Sequence, residues 1–153
     1  MPIKIIAIGK KHEDWVEVGI ERYQKRLKRP FDAEWVLLPH SSLGGVAARQ
    51  DESERILKRL NANDYVLLLD EKGKIVDSPT LSSIISEQLN TSRPIVFVIG
   101  GAYGVDQTVI DRSDFVWSLS RLVFPHQLVR LILAEQIYRA QEINRGGKYH
   151  HGE

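Results

Sequence analysis

Three glycines, Gly100, Gly101 and Gly104, follow directly on the apolar run Ile95-Val96-Phe97-Val98-Ile99. A run without a polar face fits a strand buried on both sides of a parallel sheet. Glycines at its end let the backbone turn sharply and approach a ligand that a Cβ would hold off. Taken alone, Gly100-Gly101 is equally a tight turn without a ligand. The next segment favours the ligand. A short strand, Phe115-Val116-Trp117, leads into Ser118-Leu119-Ser120-Arg121-Leu122-Val123-Phe124-Pro125, a mostly apolar loop that calls for something flat to cover it. Together the two loops describe a slot of backbone amides and aliphatic side chains suited to an adenine ring. GxxxxGK[ST] and GxGxxG are both missing, so neither a Walker loop nor a dinucleotide fingerprint explains the glycines.

The elements that must position these loops alternate along the chain. IKIIAI at Ile3–Ile8 reads as a strand. Residues 14–28 carry Val16, Ile20, Tyr23 and Leu27 at helical spacing, with Arg22, Lys25, Arg26, Lys28 and Arg29 as a basic strip before Pro30. AEWVLL at Ala33–Leu38 is a second strand. Residues 41–45 read as a loop, and the charged stretch around residues 51–55 reads as a helix continuing through Leu60. YVLLL from Tyr65 is a third strand, closed at residues 70–74 by turn chemistry. Ser78 reads as an N-cap with Pro79 at the first helical position. The last helix spans residues 126–144. The order βαβαβαβαβα predicts a three-layer α/β/α domain with a mainly parallel sheet. Ligands of such sheets sit outside the carboxyl ends of the strands, where residues 69–74, 100–104 and 118–125 converge. Residues 128–134 are apolar on nearly every side, and a helix apolar all round is buried all round. A terminal helix faces its own sheet on one side only, so its other side is expected to meet a second subunit, giving a homodimer.

At 153 residues the chain is expected to form one domain, residues 1–153. Its 42% hydrophobic and 27% charged residues are those of an ordinary globular protein. A net charge of +1 advertises no nucleic acid, so any RNA-binding surface must be a local patch. The absence of cysteine excludes disulfides, thiolate catalysis and cysteine-ligated metal, and no metal is expected. With no signal-peptide layout at Met1-Pro2-Ile3-Lys4 and no membrane-length apolar run, the expectation is a cytoplasmic protein without a membrane partner.

The opening strand, Leu69-Asp70-xx-Gly73-Lys74, Gly100-Gly101-xx-Gly104, Trp117-Ser118-Leu119-Ser120, Pro125-His126-xx-Val129-Arg130, Ala134-Glu135-Gln136-x-Tyr138-Arg139-Ala140 and the closing Tyr149-His150 together resemble one family. It is the ribosomal RNA large subunit methyltransferase H family of the SPOUT superfamily. The resemblance runs through essentially the whole chain, in order. It implies S-adenosyl-L-methionine-dependent methylation of N3 of a pseudouridine in 23S ribosomal RNA, with the ribosome as partner. It also implies a homodimer whose C-terminal part forms a trefoil knot, which sequence rules alone would not suggest. Carried over, Leu69, Gly100, Gly101, Ser120, Arg121, Leu122, Val123, Phe124 and Pro125 match the family's cofactor-binding positions. Family members commonly close on Tyr-His-Arg, whereas this chain reads Tyr149-His150-His151-Gly152-Glu153, so a fixed terminal cation near the RNA is lost.

Such chemistry asks the protein for position and for a proton acceptor. His150 and His126 titrate nearest neutrality. His126 has a structural hydrogen bond as its alternative role. Arg130 could hold a phosphate or pair with Glu135. Tyr149 could stack on a flipped base or be a loose tail residue. We take His150, Tyr149 and Arg130 as the candidate catalytic residues. The tail beyond Gly146-Gly147 is expected to be mobile until RNA arrives. Two other classes fit parts of the pattern: a non-catalytic RNA-binding domain using the basic strip, and a nucleotide-binding enzyme with phosphates at Gly100-Gly101 under a helix N-terminus.

Overall fold

The computed structural model describes residues 2–151. Its elements alternate strictly: β1 (Ile3–Ile8), α1 (Asp14–Gln24), β2 (Ala33–Leu38), α2 (Gly45–Leu57), β3 (Tyr65–Ile75), α3 (Ser78–Asn90), β4 (Ile95–Ile99), α4 (Gln107–Arg112), β5 (Phe115–Ser118) and α5 (His126–Asn144), with a short 3-10 turn at Tyr149–His151. The strands pair in parallel in the order β2-β1-β4-β3-β5. Because side chains alternate along a strand, each strand feeds two cores. Ile3, Ile5, Ala7, Phe97 and Trp117 pack under Leu81 and Ile85 of α3 and Leu133 and Ile137 of α5. Ile6, Ile8, Val66, Leu68, Val96 and Val98 pack on the opposite face under Ile56 of α2 and Val109 of α4. The three-layer α/β/α arrangement is therefore present. No described helix is long and apolar enough to cross a membrane.

Several local readings shift. Helix α2 begins at Gly45, inside the stretch read as a loop, because the backbone of Gly44 can cap it without a side chain. The cap of α3 is Asp77, whose carboxylate accepts from the Thr80 N–H at 2.8 Å, so Ser78 opens the helix and Pro79 sits at its second position. Helix α1 ends at Gln24, four residues short of the expected end. Strand β3 does not stop at Leu69. Residues 70–73 bulge out, held by Asp70 accepting from the Lys72 N–H at 2.8 Å, and the chain rejoins β5 at Lys74 and Ile75.

The largest revision concerns α5. It lies between α1 and α3 on the sheet, so its own chain covers three of its sides. Leu131 rests on Gly19 of α1, where an added Cβ would come within 2.7 Å. Ser82 of α3 donates to the Ala140 carbonyl at 2.9 Å. The all-round apolar pattern is thus explained without a second subunit. To reach this place from β5 at the sheet edge, the chain crosses back over β3 at the carboxyl end of the sheet, and residues 119–125 make that crossing.

Candidate active site

The carboxyl ends of β3, β4 and β5 open into a cleft of about 1000 Å³. The three converging loops line it, as expected. Of the nine cofactor positions implied by the resemblance, Leu69, Gly100, Gly101, Ser120, Leu122, Val123 and Phe124 are on its walls. Arg121 and Pro125 are not: Arg121 is solvent-exposed and Pro125 is the residue that precedes α5. Leu122 and Val123 are 70% and 76% exposed, which leaves their aliphatic surface free to cover a planar group. The 118–125 loop keeps its shape through Ser118, whose hydroxyl donates to the Ser120 carbonyl at 2.8 Å, and Ser120, whose hydroxyl accepts from the Leu122 N–H at 3.0 Å.

Gly101 is needed for a different reason from the one the sequence suggested. A Cβ there would lie 2.6 Å from Glu52 Oε1 and 3.1 Å from Ile8 Cγ2, so it would point into the protein and not at an incoming ligand. Glu52, from α2, is buried; its Oε2 accepts from the Ser41 N–H at 2.9 Å, while its Oε1 has no hydrogen-bond partner. The glycine loop therefore rests directly on a buried carboxylate. Sequence reasoning missed Glu52, which is indistinguishable in the charged run around it from a solvated residue.

Arg130 is not placed to hold a phosphate, and it does not pair with Glu135. It is 0% exposed. Its Nη2 donates to the carbonyls of Ile8 at 3.0 Å and Gly9 at 3.1 Å, and its Nη1 donates to the Lys11 carbonyl at 3.2 Å. It thus clamps the chain leaving β1, and Gly9 (φ +119°) must lack a Cβ because one would meet Nη2 at 2.8 Å. A guanidinium only donates, so His126 Nε2 (3.1 and 3.2 Å) and His12 Nδ1 (3.1 Å) act as acceptors toward it. Burial and the Arg130 charge push His126 down to about 4, and the same causes lower His12. His126 lines the cleft as a neutral ring, its Nε2 lone pair committed to Arg130. Replacing Arg130 with Met leaves those three carbonyls without this donor, and each such loss costs on the order of 1–3 kcal/mol. Arg130→Met is therefore expected to lower unfolding stability by about 3 kcal/mol or more; chemical denaturation showing less than ~0.5 kcal/mol change would contradict the clamp.

The partner of Glu135 is Arg139, one turn on, at 2.7 Å. Around this pair the tail is docked, not loose. Tyr149 donates to Glu135 Oε2 at 2.8 Å, its ring meets Tyr138 edge-on at 4.8 Å, and Arg139 lies over its face at 4.8 Å. His150 Nδ1 sits 3.2 Å from Arg139 Nη1. Burial and the bond to Glu135 raise the Tyr149 hydroxyl well above its ordinary value. None of these tail residues lines the cleft of its own chain. The His151 side chain and Glu153 fall outside the described residues. Glu135 and Arg139 were legible as an i, i+4 pair on the last helix, though nothing local tied them to a tail ten or more residues on.

A cleft at the carboxyl ends of parallel strands, roofed by a chain segment that crosses back over the sheet, is what the comparisons also select. The family described as "Predicted SPOUT methyltransferase" matches residues 1–150. The chain belongs to the SPOUT methyltransferase family. Membership carries with it the knotted arrangement of the C-terminal segment. The chain is similar to the ribosomal RNA large subunit methyltransferase H of Halothermothrix orenii, 42% identical with 98% of this chain and 99% of that one covered. It is similar to the proteins of the same name from Acidiphilium cryptum, at 42% identity covering 97% and 92%, and from Geobacter metallireducens, at 40% covering 99% of each. In this SPOUT chain, then, the glycine loop, the buried Glu52 beneath it and the apolar return loop form one cleft, and the docked tail forms a second cluster further along α5.

Proposed function

We propose that this protein transfers a methyl group from S-adenosyl-L-methionine to N3 of a pseudouridine in 23S ribosomal RNA, acting in the cytoplasm on the assembled ribosome as a homodimer. The observation that supports it most is the cleft itself: backbone and aliphatic walls at one end for a planar base, with volume left over for a second one. The residues fit the cofactor, with Gly100, Gly101, Leu122, Val123 and Phe124 around the adenine. When bound, the sulfonium supplies an already activated methyl group. What the chain must add is alignment and a route for the N3 proton. His126 is a poor acceptor, since its lone pair faces Arg130. His150, near the docked Tyr149, is the titratable group we assign to the base edge, with Tyr149 stacking on the base.

Phosphate binding at the glycines finds less support. The N-terminus of α4, the helix that follows them, already holds its own anion: Asp106 accepts from the Thr108 N–H at 3.0 Å. Calorimetry should find S-adenosylhomocysteine bound in preference to ATP, NAD and FMN; a nucleotide that outcompetes it would overturn the reading.

The homodimer draws support from the separation of tail and cleft in one chain, which a second copy would close by lending its tail. Gln127 ties the starts of α1 and α5 together, accepting from the Glu13 N–H at 2.9 Å. Trp15 and Val18 of α1 and Leu122 and Val123 ahead of α5 all belong to these joined segments and all are exposed. We expect sedimentation at micromolar concentration to give a dimer, and Val18→Asp to weaken both dimer and activity. A fully active monomer would refute it.

A further inference from the structure

The cleft has two chemically different ends. One is the apolar return loop beside β5. The other is formed by α2 and the segment after the glycines, where Arg49, Tyr103, Asp106 and Gln107 are on the wall. Among the described arginines Arg49 is unusual. Arg55, Arg93, Arg112, Arg139 and Arg145 each pair with a carboxylate, and Arg130 clamps carbonyls. Arg49 makes no ion pair among the described residues, yet its Nε is buried and without a hydrogen-bond partner. An unpartnered donor of a permanent cation, taken out of water in a cleft wall, costs stability unless a ligand completes it.

We propose that Arg49 binds the carboxylate of the methyl donor's amino-acid portion and so fixes the end of the cofactor opposite the adenine. This rests on the cofactor reading above. S-Adenosylmethionine carries no phosphate, so its carboxylate is the one full negative charge it can offer, and a guanidinium fork matches a carboxylate in two parallel bonds. The acidic groups on the same cleft do not already occupy Arg49: Asp70 accepts from the Lys72 N–H and Asp106 caps α4, while Glu71 makes no ion pair among the described residues. Lys72 is the other cation of the lining, on the exposed bulge of β3. A phosphate of RNA would also suit a guanidinium, but it is held in a polymer and meets the mouth of the cleft. A terminal carboxylate can enter to where Nε is buried. Holding the amino-acid portion on the α2 wall would also set the angle at which the sulfonium methyl faces the vacant part of the cleft.

The test compares two ligands that differ only in this portion. S-Adenosylhomocysteine carries the carboxylate; 5′-methylthioadenosine keeps the adenosine thioether and lacks the amino acid. In calorimetric titrations of the full chain, Arg49→Ala should weaken S-adenosylhomocysteine by about ten- to a hundredfold, the range of a charge-assisted hydrogen bond. Methylthioadenosine should bind within about twofold of the parent, well below the tenfold that one such step represents. Arg49→Lys should recover part of the loss. Unchanged S-adenosylhomocysteine affinity in Arg49→Ala, with or without weaker ribosome binding, would overturn the proposal, as would an equal loss for both ligands. If the parent protein binds neither ligand, the cofactor reading fails as well, a result distinct from failure of Arg49 alone.

Discussion

Removing residues 148–153 should lower methylation of ribosomes by at least about a hundredfold, equivalent to ~2.7 kcal/mol of lost transition-state stabilisation. Cofactor affinity should stay within about twofold, far short of the tenfold that ~1.4 kcal/mol represents. The separation follows from the geometry. The tail touches Glu135, Tyr138 and Arg139 on α5 and none of the cleft wall. Its contribution must therefore be to the RNA side of the reaction. The docked state refines the expectation. Tyr149 has one hydrogen bond to Glu135, one ring contact and one cation over its face, so presenting that ring to a flipped base means exchanging these contacts for a base and its edge. Each is individually modest, of order 1 kcal/mol, so such an exchange is accessible. His151→Arg should raise RNA affinity in a salt-dependent way, because a new phosphate contact releases counterions. Normal ribosome methylation by the truncated protein would leave Tyr149 and His150 without a catalytic part.

Gly101→Val is the second large effect, and its mechanism is internal. The new Cβ would overlap Glu52 Oε1 at 2.6 Å, and neither side can yield easily, since Glu52 is buried and holds the Ser41 N–H. Overpacking of this kind costs about 1–3 kcal/mol, and here the strain falls on the loop that lines the cofactor cleft. Stability should fall by that amount and cofactor affinity by more than about tenfold. Because the clash is with one side chain, Glu52→Ala should relieve part of the damage when combined with Gly101→Ala, a coupling that a double-mutant cycle measures. A folded Gly101→Val protein with unchanged cofactor affinity would remove Gly101 from the site.

How far the sequence led depended on whether partners were near in the chain. The apolar runs of β1, β2 and β4 and the long α5 were legible because their period and length are local properties. The glycine loop and the apolar loop after β5 were legible as a cleft because strand order puts such loops on one edge. The continuation of β3 through Lys74 and Ile75 was not, because its pairing partners Trp117 and Ser118 lie across a bulge that looks like an ordinary turn. Arg130 was misread for the same reason. Its spacing from Glu135 suggested a local pair, whereas its acceptors at Ile8, Gly9 and Lys11 are well over a hundred residues away. Gly101 was correctly singled out, but what a Cβ would strike, Glu52 and Ile8, is fixed by packing of α2 and β1. The apolar α5 pointed to a second subunit when the cover was its own α1 and α3, since burial reports that a face is covered and not by what.

Methyl transfer from labelled S-adenosylmethionine to free ribosomal RNA, 50S subunits and 70S ribosomes, with the modified position mapped, tests the central claim most directly. We predict label on N3 of a pseudouridine of 23S RNA, delivered best to the 70S particle and lost on removing residues 148–153. Label on another base or on protein, or no transfer to any of the three substrates by a protein that binds the cofactor, would contradict it.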